Sequence, residues 1–392
     1  MLRFLTAGES HGPGLVTIIE GLPRGLEVSP EQITDELARR RMGYGRGKRM
    51  AIERDEIEIL GGIRHGHTLG SPVAVLIRNT EWPRWSEEMS PEPGPSKKTV
   101  TRPRPGHADL AGMLKYGTDD ARDVLERASA RETAARTVAG ILSKIFLATV
   151  GVRVFSHVVA IGAASSESAT PGPGDQDRID DSPVRCLDPT AEAAMIAAIE
   201  DAKEQRDTLG GVFEVVGFGV PPGIGSHVHY DRRLDALLAT AIMSIPAIKG
   251  VEIGDGFQVA ALPGSKSHDE ILLDEGVLTR STNRAGGTEG GMSNGETIRV
   301  RGAMKPISTL MRPLRTVDMT TGQPAHAVRE RSDVCAVPAA GVVGEQMAAF
   351  VLAGEFQRKF GGDTVDEFVA AADRYRSGLS DRPRRCPCGW WG

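Results

Sequence analysis

The sequence predicts an α+β fold in which residues 1–380 form one large domain. Segments rich in β-branched residues alternate with segments whose apolar residues recur every three or four positions. In addition, the strand-like stretches 14–21 and 212–220 are each followed by Pro-x-Gly-apolar and by a helix containing Asp-x-Leu. This degenerate repeat predicts two similar layered halves, roughly residues 1–160 and 205–360, with a cleft between them. Chance similarity is the alternative, because strand-turn-helix units are common.

The individual elements follow from local patterns. The first helix is predicted from Ser29, which can cap it, with Pro30 at its first position and apolar residues at helical spacing. Further helices are predicted at residues 133–150, 190–204, 233–245, 339–360 and 364–377, and further strands at 52–60, 73–77, 152–161, 251–261 and 297–304. Residues 82–105 lack a period and suggest a lid or an oligomer arm, while residues 164–183 suggest a surface excursion.

Composition excludes several classes of protein. A formal charge of -5 argues against a general nucleic-acid binder, so a basic cluster would serve a small anionic ligand. The apolar run at the N-terminus is too short for a signal peptide. We expect no membrane span and a cytoplasmic location. Cys186 and Cys335 stand alone, and Cys386 and Cys388 lie in a tail, residues 381–392, that we expect to be disordered. No metal site is expected, because no second cysteine or histidine pair at zinc spacing accompanies them.

A basic, proline-stiffened region is the first candidate site. Proline at 103 and 105 prevents a regular helix before His107, so this histidine should lie on a stiff loop near Asp109. The pattern Ser129-x-x-Glu132 predicts a capping box that opens the following helix. Free N–H groups at that helix start, together with Arg127 and Arg131, predict a pocket for phosphate or carboxylate.

Other clusters could carry chemistry as well. Gly8-Glu-Ser-His11-Gly12 presents an imidazole on a tight turn. Six cations between Arg39 and Arg49 form either a phosphate-gripping loop or a solvated or RNA-binding patch. The glycine-dense residues 281–295 and the stretch Lys305-Pro-Ile-Ser-Thr309 could approach a flat or phosphorylated ligand, or could simply be turns between strands. Arg331-Ser-Asp333 is by default an ion pair.

Taken together, these motifs resemble those of the chorismate synthase family, in that family's order, over about residues 1–380. They are Gly8-Glu-Ser-His-Gly, Arg104-Pro-Gly-His-Ala-Asp, Arg127-Ala-Ser-Ala-Arg-Glu-Thr, Gly286-Gly-x-x-Gly-Gly-Met, Lys305-Pro-Ile-Ser-Thr and Arg331-Ser-Asp. The resemblance implies a β-α-β sandwich, a homotetramer and a lyase that removes phosphate from 5-enolpyruvylshikimate 3-phosphate by 1,4-anti elimination to give chorismate. It also implies a requirement for reduced FMN without net redox change.

The same resemblance assigns roles to residues of this sequence. The implied catalytic residues are His11, His107 and Asp333, the aspartate helping to relay the ring proton towards the flavin. The implied FMN contacts are Arg127, Ala128, Ser129, Pro246, Ala247, Gly290, Lys305, Pro306, Ile307, Ser308, Thr309 and Arg331. The implied substrate or NADP contacts are Arg40, Arg46, Arg49, Arg104 and Arg131. Pro246 and Gln346 depart from the residues usual in the family.

Two other functions remain compatible with these residues. A flavin-dependent oxidoreductase could use the same pocket for net hydride transfer to a phosphorylated anionic substrate, and the arginine cluster could bind RNA. Neither a Walker A lysine nor a G-x-G-x-x-G motif occurs, so a nucleotide would be held in another way. The sequence leaves open whether the chain reduces FMN itself with NADPH or needs an outside reductant.

Overall fold

A computed structural model describes residues 1–46, 55–167, 169–274, 277–328 and 333–380. Two antiparallel sheets enclose a layer of helices. The first sheet has the spatial order β1-β2-β4-β3, and the second has the order β8-β9-β7-β5-β6. The strands of the first sheet are β1 Arg3–Ala7, β2 Gly14–Glu20, β3 Glu56–Gly61 and β4 Val73–Arg78. Those of the second are β5 Arg153–Ile161, β6 Ala164–Ser165, β7 Gly211–Phe218, β8 Ile248–Ile253 and β9 Ile298–Met304.

The helices connect and separate these sheets. They are α1 Pro30–Arg41, α2 Trp82–Trp85, α3 Asp109–Tyr116, α4 Arg122–Ala128, α5 Thr133–Ala148, α6 Gln176–Asp181, α7 Pro189–Glu204, α8 Leu234–Met243, α9 Gly264–Ser267, α10 Val337–Phe360 and α11 Val365–Ser380. Short hairpins pair Ile63–Arg64 with His67–Thr68, Ile271–Asp274 with Val277–Arg280, Thr288–Glu289 with Met292–Ser293, and Arg315–Val317 with Pro324–His326.

The helix layer forms because each sheet is apolar on its inner face. Alternate residues of β2 and β4, such as Leu15, Ile19 and Val75, are buried beneath α5. Helix α10 packs on β5 and β7 of the second sheet and against α5. At the crossing of α5 and α10, a Cβ on Gly140 would lie 2.2 Å from the Cβ of Gln346, so only glycine permits this approach. The architecture is therefore the α+β sandwich that was expected.

Several local predictions are confirmed, and others are wrong. Ser29 caps α1 with a capping box to Gln32, as its sequence indicates. The box predicted at Ser129 and Glu132 does not form, because Ser129 caps a single 3-10 turn, Ala130–Glu132, and α5 begins after it at Thr133. The strand predicted at 251–261 covers only the end of β8, and a 3-10 helix, Gly256–Ala261, follows. Strand β1 and helices α3 and α4 were not predicted.

Helix α10 also qualifies the expectation that no stretch approaches a membrane span. By length and composition alone its residues could cross a membrane, but 83% of the apolar window is buried inside the protein. Its position between the sheets explains its apolar composition, since a helix in contact with protein on all sides needs no polar face. Residues 47–54 and 329–332, which include Arg49 and Arg331, and the tail at 381–392 lie outside the described residues.

Candidate active site

The turn after β1 holds His11 against a carboxylate from helix α4. The Nδ1 atom of His11 lies 3.0 and 2.9 Å from the two carboxylate oxygens of Glu126, and the backbone N–H of His11 donates to the same group at 2.9 Å. Arg122, one turn earlier on α4, donates to Glu126 at 2.7 Å. The imidazole also stacks on Trp85, with ring centroids 3.9 Å apart. His11 is thus held at one ring edge and one ring face.

The second histidine is held in the same way by the first residue of α3. His107 Nδ1 contacts the buried carboxylate of Asp109, and Arg104 donates through Nε to that carboxylate at 2.8 Å. Arg104 also lies 3.1 Å from His107 Nδ1. Because a guanidinium can only donate, Nδ1 cannot accept from Arg104 and donate to Asp109 together, and we assign the Nδ1 proton to the contact with the carboxylate, which can only accept.

Both carboxylates are ionised in this environment. Burial works to raise the pKa of Asp109, but hydrogen bonds from His107 and Arg104 hold that pKa well below its usual range. Burial also works to raise the pKa of Glu126, and hydrogen bonds from His11 and Arg122 lower it below its ordinary value. In each case an acceptor-only group faces Nδ1, and the proton on that nitrogen is assigned from the hydrogen-bond network.

A helical hairpin brings the two histidines to one region of the fold. Helices α3 and α4 pack together, and a Cβ on Gly112 would lie 2.3 Å from a side-chain carbon of Val124. Asp109 is the first residue of α3, while Glu126 lies in the last turn of α4. The two His–carboxylate pairs are therefore linked by two helices that pack against each other.

The segment after β9 closes the region around His107. Lys305 Nζ donates to the carbonyl of Gly106, and Thr309 Oγ1 accepts from Arg104 Nη1 at 3.1 Å. The backbone N–H of Lys305 donates to Ala247 O at 3.0 Å, and Ala247 itself has a φ of 70°. The sequence-predicted residues 246–247 and 305–309 are thus brought together beside His107. Pro246 precedes Ala247 at the end of the loop from α8.

The donors in this segment fit a flat, phosphorylated cofactor. Lys305 supplies a cation, and Ser308 and Thr309 supply hydroxyl groups. Gly290, in a hairpin turn at φ 58°, has no described atom within 4 Å of the position a Cβ would take, so its backbone is open to a ligand. A cation, hydroxyls and an approachable backbone are the chemistry that phosphate and a ring system require. The residues expected to bind FMN therefore fit that group.

The motif around Ser129 lies next to the His11 turn. Arg127 donates to Gly8 O at 3.0 Å and to Thr6 Oγ1 at 2.7 Å, so its guanidinium also fixes the end of β1. Ala128 ends α4, and Ser129 Oγ accepts from the backbone N–H of Arg131 at 3.3 Å. Residues 127–129 are therefore adjacent to His11 through two separate connections, one through Arg127 and one through Glu126.

The structure shows acidic partners for two of the remaining candidate arginines, Arg46 and Arg131. Arg131 Nη1 lies 2.5 Å from the buried carboxylate of Asp55, and Arg41 Nε lies 3.6 Å from the same group. Arg46 forms an ion pair with Asp333 at 2.9 Å. Arg40 is buried in the last turn of α1. Each of these arginines is thus held by the fold rather than extended into solvent.

Arg39 does not belong to the predicted phosphate-gripping cluster. Its guanidinium turns inward and pairs with Glu36, Asp180 and Glu345. Burial works to lower the pKa of Arg39, but the carboxylates of Glu345 and Glu36 raise that pKa above its ordinary value. Consecutive residues on a helix point in different directions, so Arg39 has different partners from its neighbours Arg40 and Arg41.

Sequence reasoning missed Glu126, Trp85 and Asp55. Glu126 directly precedes a recognised motif, but nothing in its neighbourhood indicates a histidine 115 positions away as its partner. Trp85 lies in segment 82–105, which has no helical or strand periodicity, so the sequence did not indicate that this ring faces inward. Asp55 adjoins residues that the structure does not describe. The sequence indicates a histidine–carboxylate contact only where both residues lie in one motif, as His107 and Asp109 do.

A separate cavity of about 210 Å³ opens elsewhere, on the outer face of the second sheet. His157, Arg299 and Arg301 surround Glu214 there, at 3.1, 3.2 and 2.9 Å. Burial opposes ionisation of Glu214, but these neighbours lower its pKa to about 2. In this cavity the single carboxylate of Glu214 faces both Arg299 and Arg301, whereas the His11 and His107 region joins the predicted motifs. We therefore take the latter as the candidate active site.

Comparisons with known proteins show the family of the chain. The family model described as chorismate synthase matches residues 2–356. Chorismate synthase of Acidothermus cellulolyticus is 61% identical over 377 residues, covering 94% of this chain and 96% of that protein. Chorismate synthase of Thermobifida fusca is 57% identical over 390 residues, covering 97% and 99%. A solved structure, "Crystal Structure of Chorismate Synthase", superposes with a TM-score of 0.78 at 41% identity and covers 97% of this chain and 98% of that chain. The chain belongs to the chorismate synthase family and is an enzyme of the lyase class.

Proposed function

We propose that the chain converts 5-enolpyruvylshikimate 3-phosphate to chorismate by 1,4-anti elimination of phosphate, the last common step of the shikimate pathway to the aromatic amino acids. Reduced FMN is required, and no net redox change occurs. The observation that supports this most directly is the pair of imidazoles, each with Nδ1 against a buried carboxylate from one of the two packed helices α3 and α4. Such pairs are suited to moving protons at Nε2.

The arginines account for the anionic substrate. It carries two carboxylates and a phosphate whose charge is about -1.5 to -2 at neutral pH. Arg40, Arg46, Arg104 and Arg131 are the proposed contacts, together with Arg49 outside the described residues. Acidic partners hold the guanidinium groups of Arg46, Arg104 and Arg131 in place before the substrate arrives, and donors fixed in advance stabilise a departing phosphate most strongly.

The histidines and Asp333 carry the proposed proton transfers. One imidazolium donates from Nε2 to the departing phosphate, and the other holds a proton towards the cofactor. Asp333, ion-paired with Arg46, assists in removing the ring proton. FMN contacts are proposed at residues 127–129, 246–247, 290 and 305–309, and at Arg331 outside the described residues. Reduced FMN, when bound there, supplies electron density that side chains cannot.

The assembly is proposed to be a cytoplasmic homotetramer. The outer face of the first sheet exposes Leu5 and Ile18, with 68% and 41% of their surface accessible. The hairpin Ile271–Asp274 with Val277–Arg280 exposes Ile271, Leu273 and Leu278 by 64%, 65% and 60%. Contiguous apolar surface of this kind is typical of contacts between protein chains. Sedimentation analysis that gives a monomer at micromolar concentration would contradict the tetramer.

Anaerobic turnover tests the reaction. With FMN reduced and present in catalytic amount, we expect one phosphate released per chorismate formed and the flavin still reduced after many turnovers. Stoichiometric oxidation of the flavin would instead support an oxidoreductase. The assay is then repeated with NADPH and oxidised FMN, and with no other enzyme. Chorismate formation would show that the chain reduces FMN itself, whereas no chorismate is expected if an outside reductant is needed.

A further inference from the structure

We infer that Glu126 is a positioning residue that fixes His11 as the Nδ1–H tautomer and presents Nε2 to the reacting groups. The inference rests on the proposed function, since it concerns how one of the two acid/base histidines is made competent. Glu126 contacts His11 twice, at the backbone N–H and at Nδ1, each at 2.9 Å. A single carboxylate therefore fixes both the position of the main chain and the edge of the imidazole ring.

The charge state of Glu126 decides the tautomer. Its side chain is 2% exposed, and Arg122 donates to it at 2.7 Å. A carboxylate paired with an arginine in this way accepts hydrogen bonds and donates none. Nδ1 must therefore carry a proton in the neutral as well as in the charged imidazole. Nε2 becomes the nitrogen that gains and loses the proton used in chemistry.

Trp85 completes the restraint on the ring. The indole and imidazole planes are 26° apart and stack at 3.9 Å, so the imidazole cannot rotate about its Cβ–Cγ bond without losing this contact. Lys98 Nζ lies 3.7 Å from the centroid of the same indole, and the guanidinium carbon of Arg122 lies 5.0 Å from it. Trp85 lies near the start of segment 82–105, for which the sequence suggested a lid or an oligomer arm, and it places that part of the segment against the ring of His11.

The turn that bears His11 is fixed by bonds that a change at Glu126 would leave in place. The backbone N–H of Ser10 donates to the main-chain carbonyl of Glu126 at 3.0 Å. Asn79 Nδ2 donates to Ser10 O and Gly12 O at 2.8 and 3.0 Å. Glutamine at position 126 keeps the shape and one carbonyl acceptor, but its amide can donate to Nδ1 and favour the wrong tautomer. The variant Glu126→Gln therefore tests two properties of Glu126, its negative charge and its role as acceptor from His11 Nδ1, while the turn keeps its other hydrogen bonds.

The test compares Glu126→Gln with Glu355→Gln, a control that removes a largely buried carboxylate paired with Arg358 on α10. For Glu126→Gln we expect kcat to fall about 10²- to 10⁴-fold, as when the carboxylate behind a catalytic histidine is neutralised. KM for the substrate and Kd for FMN should stay near wild type, while Tm should fall, because Arg122 loses its buried carboxylate partner. Glu126→Asp, which keeps the charge, should recover at least part of kcat. The control should leave kcat unchanged.

Two readouts separate tautomer control from a structural role. In ¹⁵N-histidine spectra, the His11 signals, assigned by their absence in His11→Gln, should show Nδ1–H in wild type and lose it in Glu126→Gln. Rescue is the second readout: Glu126→Asp, which keeps an acceptor-only carboxylate, should retain the Nδ1–H signal that Glu126→Gln loses.

The inference is wrong if Glu126→Gln keeps wild-type kcat, or if wild-type His11 carries its proton on Nε2. It is also wrong if kcat, FMN affinity and Tm fall together while the Nδ1–H signal persists, since Glu126 would then act only as a support. The spectra are independent of turnover. If the wild-type enzyme formed no chorismate, the proposed function would be wrong, but the spectra would still show which tautomer His11 adopts.

Discussion

Replacing Glu345 by glutamine is expected to lower the free energy of unfolding by about 3 kcal/mol at pH 7. The carboxylate lies on α10 with no exposed surface. It accepts from Arg39, from Lys144 at 3.0 Å and from Ser156 at 3.0 Å, and Arg185 lies 3.6 Å away. The amide would leave three buried cations in this network facing two carboxylates, those of Glu36 and Asp180.

The magnitude follows from the ionisation of Glu345. Burial works to raise its pKa, but Arg39, Lys144 and Arg185 lower it from 4.5 to about 2. At about 1.4 kcal/mol for each tenfold change in proton affinity, this difference corresponds to roughly 3 kcal/mol. Removing one partner of a buried ion pair typically costs about 3–5 kcal/mol, which agrees. Because the folded-state pKa is the lower one, this stability is present above about pH 4.5 and is lost as pH falls towards 2.

Thermal unfolding measures the effect. With an unfolding entropy of about 2.1 cal/mol/K per residue, a loss of 3 kcal/mol in a chain of 392 residues lowers Tm by roughly 4 °C. Glu355→Gln is the control, because its partner Arg358 is 44% exposed and such a pair contributes about 1 kcal/mol or less. An unchanged Tm for Glu345→Gln at pH 7, or a deficit that does not begin to shrink below pH 4.5, would refute the reasoning.

Three other substitutions test the site and the packing. His107→Ala should lower turnover about 10²- to 10⁴-fold with little change in Tm, and near-normal turnover would remove this histidine from the mechanism. Arg131→Ala should raise KM for the substrate and also lower Tm, because Asp55 would lose its 2.5 Å partner; a change in Tm alone would make the arginine purely structural. Gly140→Ala should cost about 1–3 kcal/mol, since the new Cβ would lie 2.2 Å from that of Gln346, and calorimetry showing no loss would mean that the helices separate freely.

Local patterns were sufficient for most of the scaffold. Helix α1 begins where Ser29 and Pro30 indicate, and β4 occupies Val73–Arg78, where a short β-branched run occurs. Strand and helix are present at both copies of the proposed repeat, Gly14–Glu20 with Pro30–Arg41 and Gly211–Phe218 with Leu234–Met243. The equivalence of the two halves stays a prediction. The errors occur where a segment lacks a clear period, as in α3 and α4.

The Ser129 motif shows why a correct sequence pattern can still give a wrong local structure. Ser129 and Glu132 have the spacing of a capping box, but Glu132 instead pairs with Arg136 and the 3-10 turn inserts before α5. Serine still accepts a backbone N–H, that of Arg131, so the capping chemistry is retained with a different partner. The neighbouring helix α4, which was not predicted, ends at Ala128 and determines where the chain enters this turn.

By itself the sequence determined most of the strands and helices, the motifs of the candidate site and the chemical type of ligand that they suit. These depend on spacing within a few residues and on which side chains are present. Only the tertiary structure decided how each charge is used: His11 meets a carboxylate 115 positions away, and Arg39 meets one 306 positions away and turns inward. The physical reason is that an ion pair depends on distance in space and on burial, and neither is encoded in the separation of two residues along the chain.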